Sequence, residues 1–542
     1  MISTFTLNHF GIVAGTCKEL KISEVIDSLI PPDPQQKVTT GQAIVSMIIN
    51  GLGFSNRRLY LYPQFFENKP VHLLLGNNIE SSDLNDDTIG RAMDRVFKYG
   101  CTELFCYVAS AAAKAEEVSR KFGHLDTTTF SVHGDYKSSA EEGVPIHITY
   151  GHSKQKRPDL KQIFLNLLVS SDGAVPLFMQ ALNGNSSDVT VFRNTVKEFK
   201  KGLKENLKEI TYLIADSKFY TEKTLKEADG DLLWISRVPD TITEAKKAIN
   251  ETVSLLDTLL PLEKEGYSYR KCESSYGSVA QRWLIVHSKE AEKRAKYSIE
   301  RKVKKEFEKI RKEIKRLERK GFTSDAEAMK ASVHNQKKIH FHDIKFEGIS
   351  EKASYKGRGR PSKHKEKKIT YFIRYIIGKN EVKIDLEIKK KAIFIIATNE
   401  LSEEKLSDEE VFENYKGQKH VERGFRFLKD PLFFASSLFL KKPRRIVSLT
   451  MIMCLSLLVY SLCERKMRSL LKEHKETIMN QLKKPTQRPT LRWVFELFED
   501  IHLVRFEDEW RYEVKNLRPD GIKILKILGK EYMEPYLITL EK

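Results

Sequence analysis

Apolar positions in the first 120 residues recur at helical spacing. Gly41–Leu52 is an apolar-periodic stretch behind Thr39–Thr40, and Asp86–Asp87 stand where helix caps belong before an amphipathic run through Phe97. Alanines 111–113 and their neighbours predict one more helix. From 124 the texture changes to strands. His124–His133 (HLDTTTFSVH) is rich in Thr and aromatic residues with partial alternation, Ile163–Val169 is an apolar run, and Val175–Leu182 follows the Asp172–Gly173 turn. Asp188–Leu207 then reads as a helix, Tyr212–Ala215 as a short buried strand, Thr221–Ala228 as a helix and Leu232–Ile235 as a strand. Three strands, helix, strand, helix, strand is an α/β order. Its first three strands can form an antiparallel meander, and the later βαβ units add parallel strands.

A different pattern occupies residues 240–390. Ile299, Val303, Phe307, Ile310, Ile314 and Leu317 punctuate the charged segment Lys289–Lys320 at spacings that form a coiled-coil seam. Gly321 stops that helix, and Ser324 with Glu327 forms a capping box for a second one, so a basic helical hairpin is expected. Lys356–Lys368 (KGRGRPSKHKEKK) reads as a flexible basic linker; within it Arg358 and Arg360 match the core of a minor-groove AT-hook, although a plain linker has the same composition. Strands are expected at Ile369–Ile377 and Ala392–Thr398, and a capping box at Ser407/Glu410 opens a long helix through Lys429. Ile446–Leu462 is uncharged, slightly short for a membrane span, and contains four hydroxyl residues. It reads as a helix buried on all sides.

Composition narrows the function. At 542 residues three or four domains are expected. The net charge of +19 on a chain with 40% hydrophobic residues suggests a folded protein with a polyanionic partner, of which nucleic acid is the commonest. Six scattered cysteines without a CxxC pair argue against structural zinc and against a disulfide framework, and they fit a reducing cytoplasm. The start, MISTFTLNHFG, shows neither a basic segment nor an apolar run of the signal-peptide kind.

Three acids then fall at telling places. Asp126 lies within the first strand of the α/β core, Asp216 at the C-terminal end of the fourth, and Glu422 on the helix after the 240–390 module. Metal-assisted phosphoryl transfer needs hard carboxylate oxygens on rigid elements. A single Asp after a strand is more often a helix cap; the ordered set of three is harder to explain by capping. Along the last helix Tyr415, Gln418, Glu422 and Lys429 fall on one face at 3.6 residues per turn, offering a phenol, an amide, a carboxylate and an ammonium in line. A surface salt-bridge ladder would give the same spacing.

With these residues placed, the chain resembles the DDE transposases of bacterial insertion sequences, in the group whose catalytic helix carries Tyr-(2)-Arg-(3)-Glu-(6)-Lys. Tyr415, Glu422 and Lys429 match that spacing, and Gln418 replaces the Arg. The blocks LDTTTFSVHG, GHSKQKRPDLKQ, LNGNSSD, ADSKFY and ISRVP occur in the same order as in that group, as does the N-terminal LNHFGIVAG.

The resemblance implies an RNase H-like (retroviral-integrase-type) catalytic core interrupted by an insertion, with a helical N-terminal DNA-binding domain. Its parts would be residues 1–120 for end-specific DNA binding, 121–239 for the first part of the core, 240–390 for the insertion, 391–470 for the last strand and catalytic helix, and 471–542 for DNA contact or dimerisation. It implies two Mg²⁺ ions, replaceable by Mn²⁺, held by Asp126, Asp216 and Glu422. It implies double-stranded DNA as partner, both terminal inverted repeats and target, with a homodimer on the DNA ends, no membrane, and a cytoplasmic, nucleoid-associated prokaryotic setting. Tyr415 and Lys429 would contact phosphate, and Gln418 leaves the handling of a flipped base in doubt.

Other residues carry two readings each. Lys154, Arg157, Lys161 and Gln162 can line the DNA path, while Arg157–Pro158–Asp159 can equally be a salt-bridged turn, and Asn185 and Asp188 read as turn and cap residues. His133 and His152 lie near Asp126 in sequence without needing acid–base roles. Trp283, Tyr371, Phe372 and Tyr375 could stack on a base, with core packing as the simpler job. Two other functions stay in view: a structure-specific RNase H-like nuclease, and a transposase-derived DNA-binding protein without catalysis.

Overall fold

The computed structural model describes residues 2–54, 62–76, 78–133, 136, 146–154, 156–200, 210–331, 339–355, 367–430, 440, 442–506 and 511–538. These fall into two compact units. One contains residues 1–236, 275–281 and 398–542; the other contains 237–274 and 282–397.

In the first unit, α1 (Thr40–Leu52), α2 (Asp86–Tyr99) and α3 (Cys101–Ala115) form the N-terminal helices. The expected caps are present, with one shift. Thr39 and Gln42 make a reciprocal capping box on α1, whereas α2 is capped by Asn85, leaving Asp86 and Asp87 in its first turn. Then come β1 (Phe122–Val132), β2 (Lys161–Ser170), β3 (Pro176–Leu182), α4 (Asp188–Lys200), β4 (Tyr212–Ala215), α5 (Glu222–Ala228) and β5 (Leu233–Val238). Their order in the sheet is β3-β2-β1-β4-β5. β1 to β3 pair antiparallel, and β4 is parallel to both β1 and β5. A three-stranded meander extended by parallel strands through helical crossovers is the RNase H-like arrangement. The burial of β4 on both faces follows from the helices that its crossovers carry.

The second unit differs from the sequence expectation at its centre. Its strands β6 (Tyr267–Tyr276) and β7 (Val279–Ser288) lead into α6 (Lys289–Glu318), a 30-residue helix with Ile299, Val303, Ile310 and Ile314 buried as the seam predicts. Among the described residues the second helix of the expected hairpin spans Asp325–Ala331, and Glu327 reaches back to Thr323 N–H rather than to Ser324. Its Ala328 is buried in one cluster with Ile310 and Ile314. The seam of α6 is also covered by the paired strands β8 (His342–Tyr355) and β9 (Lys367–Lys379) and by α7 (Glu381–Ala392), which the hairpin expectation did not include. β10 (Ile393–Thr398) ends this unit. Trp283 and Tyr375 are buried, as core packing requires.

The chain returns to the first unit with α8 (Asp408–Lys416), α9 (Lys419–Leu428) and α10 (Pro443–Glu473). The expected continuous helix to Lys429 is therefore broken. At Gly417 and Gln418 the amides bond to Asn414 and Tyr415 carbonyls three residues back, a tightened turn between two α-helices. α10 contains the uncharged run and is a core helix: 94% of its most apolar 18-residue window is buried. α1, α2 and α3 all pack against it. Gly90 on α2 permits the approach, since a Cβ there would lie 2.8 Å from the Arg445 guanidinium. Arg444 and Arg445 both bond Asp94, at 2.8 to 3.0 Å. Ile2–Thr6 pairs antiparallel with His502–Phe506, joining the start of the chain to its C-terminal region.

Candidate active site

β1 and β4 run parallel with Leu125 opposite Ala215. The next residue on each strand is an acid, so Asp126 and Asp216 emerge side by side from neighbouring strands about 5 Å apart. Asp126 lies within β1; Asp216 stands just past the end of β4. Each takes a backbone N–H: Thr127 donates to Asp126 at 2.7 Å and Lys218 to Asp216 at 2.9 Å.

Neither carboxylate is comfortable when charged. Burial pushes Asp126 up to about 6, helped by the charges of Asp216 and Asp188 and opposed by the Thr127 N–H and Lys154. Burial likewise raises Asp216, with Asp188 adding repulsion and Lys218 opposing it. Two desolvated carboxylates at one level of a sheet are a place where a cation lowers the energy.

Beside them is a group the sequence reading assigned to capping. Asp188, at the start of α4, accepts from Lys154 Nζ at 2.8 Å and from Thr127 Oγ1 and Lys218 Nζ at short distances. Burial works against its charge, but these donors outweigh it and hold Asp188 below the usual carboxylate range. Lys154 also donates to the Thr127 carbonyl and hydroxyl, both at 2.7 Å. Lys218 was not singled out from sequence. Its position two residues past Asp216 in ADSKFY was the available signal, and its ammonium interacts with Asp188, Asp216 and Asp126.

The last helix crosses the same strand. At one end, a Cβ on Gly417 would sit 3.2 Å from the His124 ring, a tight approach that the glycine eases where the α8–α9 junction packs on β1. At the other end Lys429 Nζ donates to Thr128 Oγ1 at 2.5 Å and lies 5.8 Å from the Phe130 ring centroid. Asp126, Thr128 and Phe130 alternate along β1 and therefore share its face. Glu422 lies on α9 between these two anchors, as Asp126 lies between His124 and Thr128. Its side is exposed, and among the described residues no three His, Cys, Asp or Glu groups are gathered to hold a metal ion. Burial drives Lys429 down to about 8, with Lys154 repelling it and Asp126 opposing the shift.

Thus Asp126, Asp216, Lys154 and Lys429 come into one electrostatic neighbourhood, with Glu422 on the helix that crosses it. The tightened turn places Tyr415 at the end of α8 and Gln418 at the N-cap of α9, and Lys429 is the C-cap of α9, so of the four residues predicted on one continuous helix only Glu422 lies within α9. Arg157 makes a two-pronged bond to Asp159 at 2.7 to 3.2 Å, the salt-bridged turn. Lys161 Nζ donates to the Tyr136 carbonyl at 2.6 Å. His133 and His152 are exposed. Arg358 and Arg360 lie outside the described residues.

The model of a family described as "Transposase DDE domain" matches residues 119–459, well over half of the chain. A domain of unknown function (DUF4277) matches residues 2–110. Among solved structures, the cryo-EM structure of a piggyBac transposase synaptic complex with hairpin DNA is similar at a TM-score of 0.35 and 8% identity, covering 90% of this chain and 77% of that one. No curated protein sequence matches. With the family match spanning the strands and helices that bear Asp126, Asp216 and Glu422, the chain belongs to the DDE transposases.

Proposed function

We propose that this chain is an insertion-sequence transposase that cleaves DNA at the ends of its own element and joins those ends to target DNA. The observation that carries the reading is the Asp126–Asp216 pair: two buried carboxylates at one level of adjacent parallel strands, each raised by burial and by acidic neighbours. The donor set fits Mg²⁺, a hard ion that prefers carboxylate oxygens, and Mn²⁺ would substitute. Asp126, Asp216 and Glu422 would hold it. Bound there, two such ions would activate the attacking oxygen and stabilise the leaving one.

The remaining work falls to the chain's own groups. Asp188 holds Lys154 and Lys218 against the carboxylate pair, so their ammonium groups stay where phosphate oxygens would arrive. Lys429, fixed by Thr128, presents another cation on the Asp126 face. Tyr415 and Gln418, at the helix junction, would meet the DNA near the cut. The net charge of +19 supports a DNA partner, terminal inverted repeats and target alike. Residues 1–120 would read the element ends, 471–542 would contact DNA or a second protomer, and a homodimer would hold two ends in the nucleoid of a prokaryotic cell. A structure-specific nuclease would share the carboxylate chemistry and differ in product.

The test is a supercoiled plasmid carrying the gene with its natural flanks, incubated with the full-length protein and Mg²⁺. Excision at two defined ends and their insertion into a second plasmid supports the reading. Cutting without end specificity or joining supports the nuclease, and absence of any strand breakage contradicts both.

A further inference from the structure

We propose that the outer face of the β8–β9 ribbon is a duplex-DNA binding surface. The inference rests on the DNA-transposing reading and adds a surface to it. β8 and β9 pair antiparallel from His342↔Lys379 to Tyr355↔Lys367, so residues of each pair share a face and successive pairs alternate. One face is committed to the core: Ile344, Ile373 and Tyr375 are buried with Ile310, Ile314 and Phe322. Past the bulge between Phe346 and Gly348, the opposite face presents Arg374, Lys352 and Lys368, with Ser350, Phe372, Thr370 and Ser354 between them; Phe372 and Thr370 are half-buried beside Gly321. It has no acid over that stretch; Glu351 pairs with Tyr371 on the other face. The three cations are exposed, and none has an ion-pair partner among the described residues.

Two other uses of such cations fit less well. Lysines that guard a strand edge act along the edge, where unpaired amides would invite another strand. Here an edge of β9 is already met by Phe322, which exchanges both backbone hydrogen bonds with Tyr371 at 2.9 and 3.1 Å. Charges that merely solvate a surface are usually mixed in sign, as on α7, where Lys389 pairs with Asp385 and Lys390 with Glu387. A two-stranded ribbon has the width to enter a major groove. Arg374 and Lys368 are six residues apart on one strand, roughly 20 Å, so the three cations and intervening hydroxyls can track phosphates over several base pairs.

The experiment compares full-length wild type with the triple variant Lys352→Ala/Lys368→Ala/Arg374→Ala. A control triple, Lys223→Ala/Lys247→Ala/Lys405→Ala, removes the same charge from exposed positions outside the ribbon, the site and the regions proposed to contact DNA. Residues 356–366 stay unchanged. Binding to a labelled duplex of arbitrary sequence is followed by anisotropy across a salt series in Ca²⁺. Each phosphate contact contributes about 0.9 to the salt slope, so the ribbon triple should flatten the slope by about 2 to 3 and weaken binding roughly tenfold or more. The control triple should change the slope by less than about 1. The single reversal Lys352→Glu gives the same direction if the triple folds poorly. Equal effects of ribbon and control triples overturn the assignment, as does equal weakening on a single strand of the same length. Strand cleavage by the same preparations in Mg²⁺ reports on the catalytic reading separately. A flattened slope with no wild-type cleavage would strike that reading and leave the ribbon assignment standing; cleavage with an unchanged slope would do the reverse.

Discussion

Asp126 and Asp216 stand one residue beyond the paired Leu125 and Ala215, on strands that run in the same direction. This register fixes their relation more firmly than either side chain could, because slipping β4 by one residue would send Asp216 to the other face. The geometry of the pair generates the first expectation.

Removing one charge should stabilise the metal-free protein at neutral pH. The folded-state value of Asp126, about 6, lies above that of an unfolded Asp near 3.9. Its contribution to stability is therefore present below the unfolded value and lost as pH rises through about 6. Asp126→Asn should be more stable than wild type above that pH by roughly 2–3 kcal/mol, an advantage that shrinks toward pH 4. Thermal melting in chelator between pH 4 and 8 checks this. Adding Mg²⁺ should stabilise the wild type and leave the variant largely unmoved.

Asp188 should prove as necessary as a ligand without being one. Asp188→Ala leaves Lys154 and Lys218 without the carboxylate that positions them, at a cost of about 1–3 kcal/mol in stability. The freed ammonium groups would then turn to Asp126 and Asp216 and compete with the metal. The Mg²⁺ concentration for half-maximal cleavage should rise several-fold, while Asp188→Glu recovers part of it. An unchanged metal titration would reduce Asp188 to a structural ion-pair partner.

Lys429 trades stability for function. Its folded value, about 8, lies below that of an unfolded lysine near 10.4, so the charged form is disfavoured in the fold below about pH 8 and that cost fades as pH rises through 10.4. Lys429→Met should therefore raise stability at pH 7 by about 1–2 kcal/mol after allowance for solvent screening, and slow cleavage. Chemical denaturation at pH 7 and pH 10 separates the two effects, since the gain should be smaller at the higher pH.

The N-terminal helices should not be separable. α1, α2 and α3 pack on α10, whose apolar window is 94% buried, and Ile2–Thr6 completes a sheet with His502–Phe506. Deleting residues 1–120 should expose α10 and give aggregated protein. A soluble, cooperatively melting 121–542 fragment would show that these helices are an independent module.

What was legible in the sequence followed local pattern. The core strands and α4, α5 and α10 were readable because alternation, capping and unbroken apolar runs each report on burial. Asp126 and Asp216 could be singled out by their places on strands, and Glu422 by its place on a helix. The β8 half of the ribbon was missed because its partner lies beyond a basic linker and half its side chains are exposed, which erases alternation as a core signal. The break at Gly417–Gln418 was missed because spacing arguments assume regular helix, and nothing local announces that this junction packs against the His124 ring. Asp188 looked like a cap because it opens α4, where the capping oxygen is that of Ser187; that it gathers Lys154 and Lys218 depends on chain neighbours 34 and 30 residues away.

The central claim is that Asp126, Asp216 and Glu422 act together on the scissile phosphate. It is tested most directly by single-turnover cleavage of a labelled element end in Mg²⁺, with the wild type and Glu422→Gln compared at equal occupancy of the DNA. Glu422 is exposed on α9, so its amide should leave folding and end binding intact, and the account predicts that strand cleavage falls by about a thousandfold or more while binding changes less than threefold. Asp126→Asn and Asp216→Asn should lose cleavage to a similar extent. Near-wild-type cleavage by Glu422→Gln would contradict the account and leave the two strand acids without their helical partner.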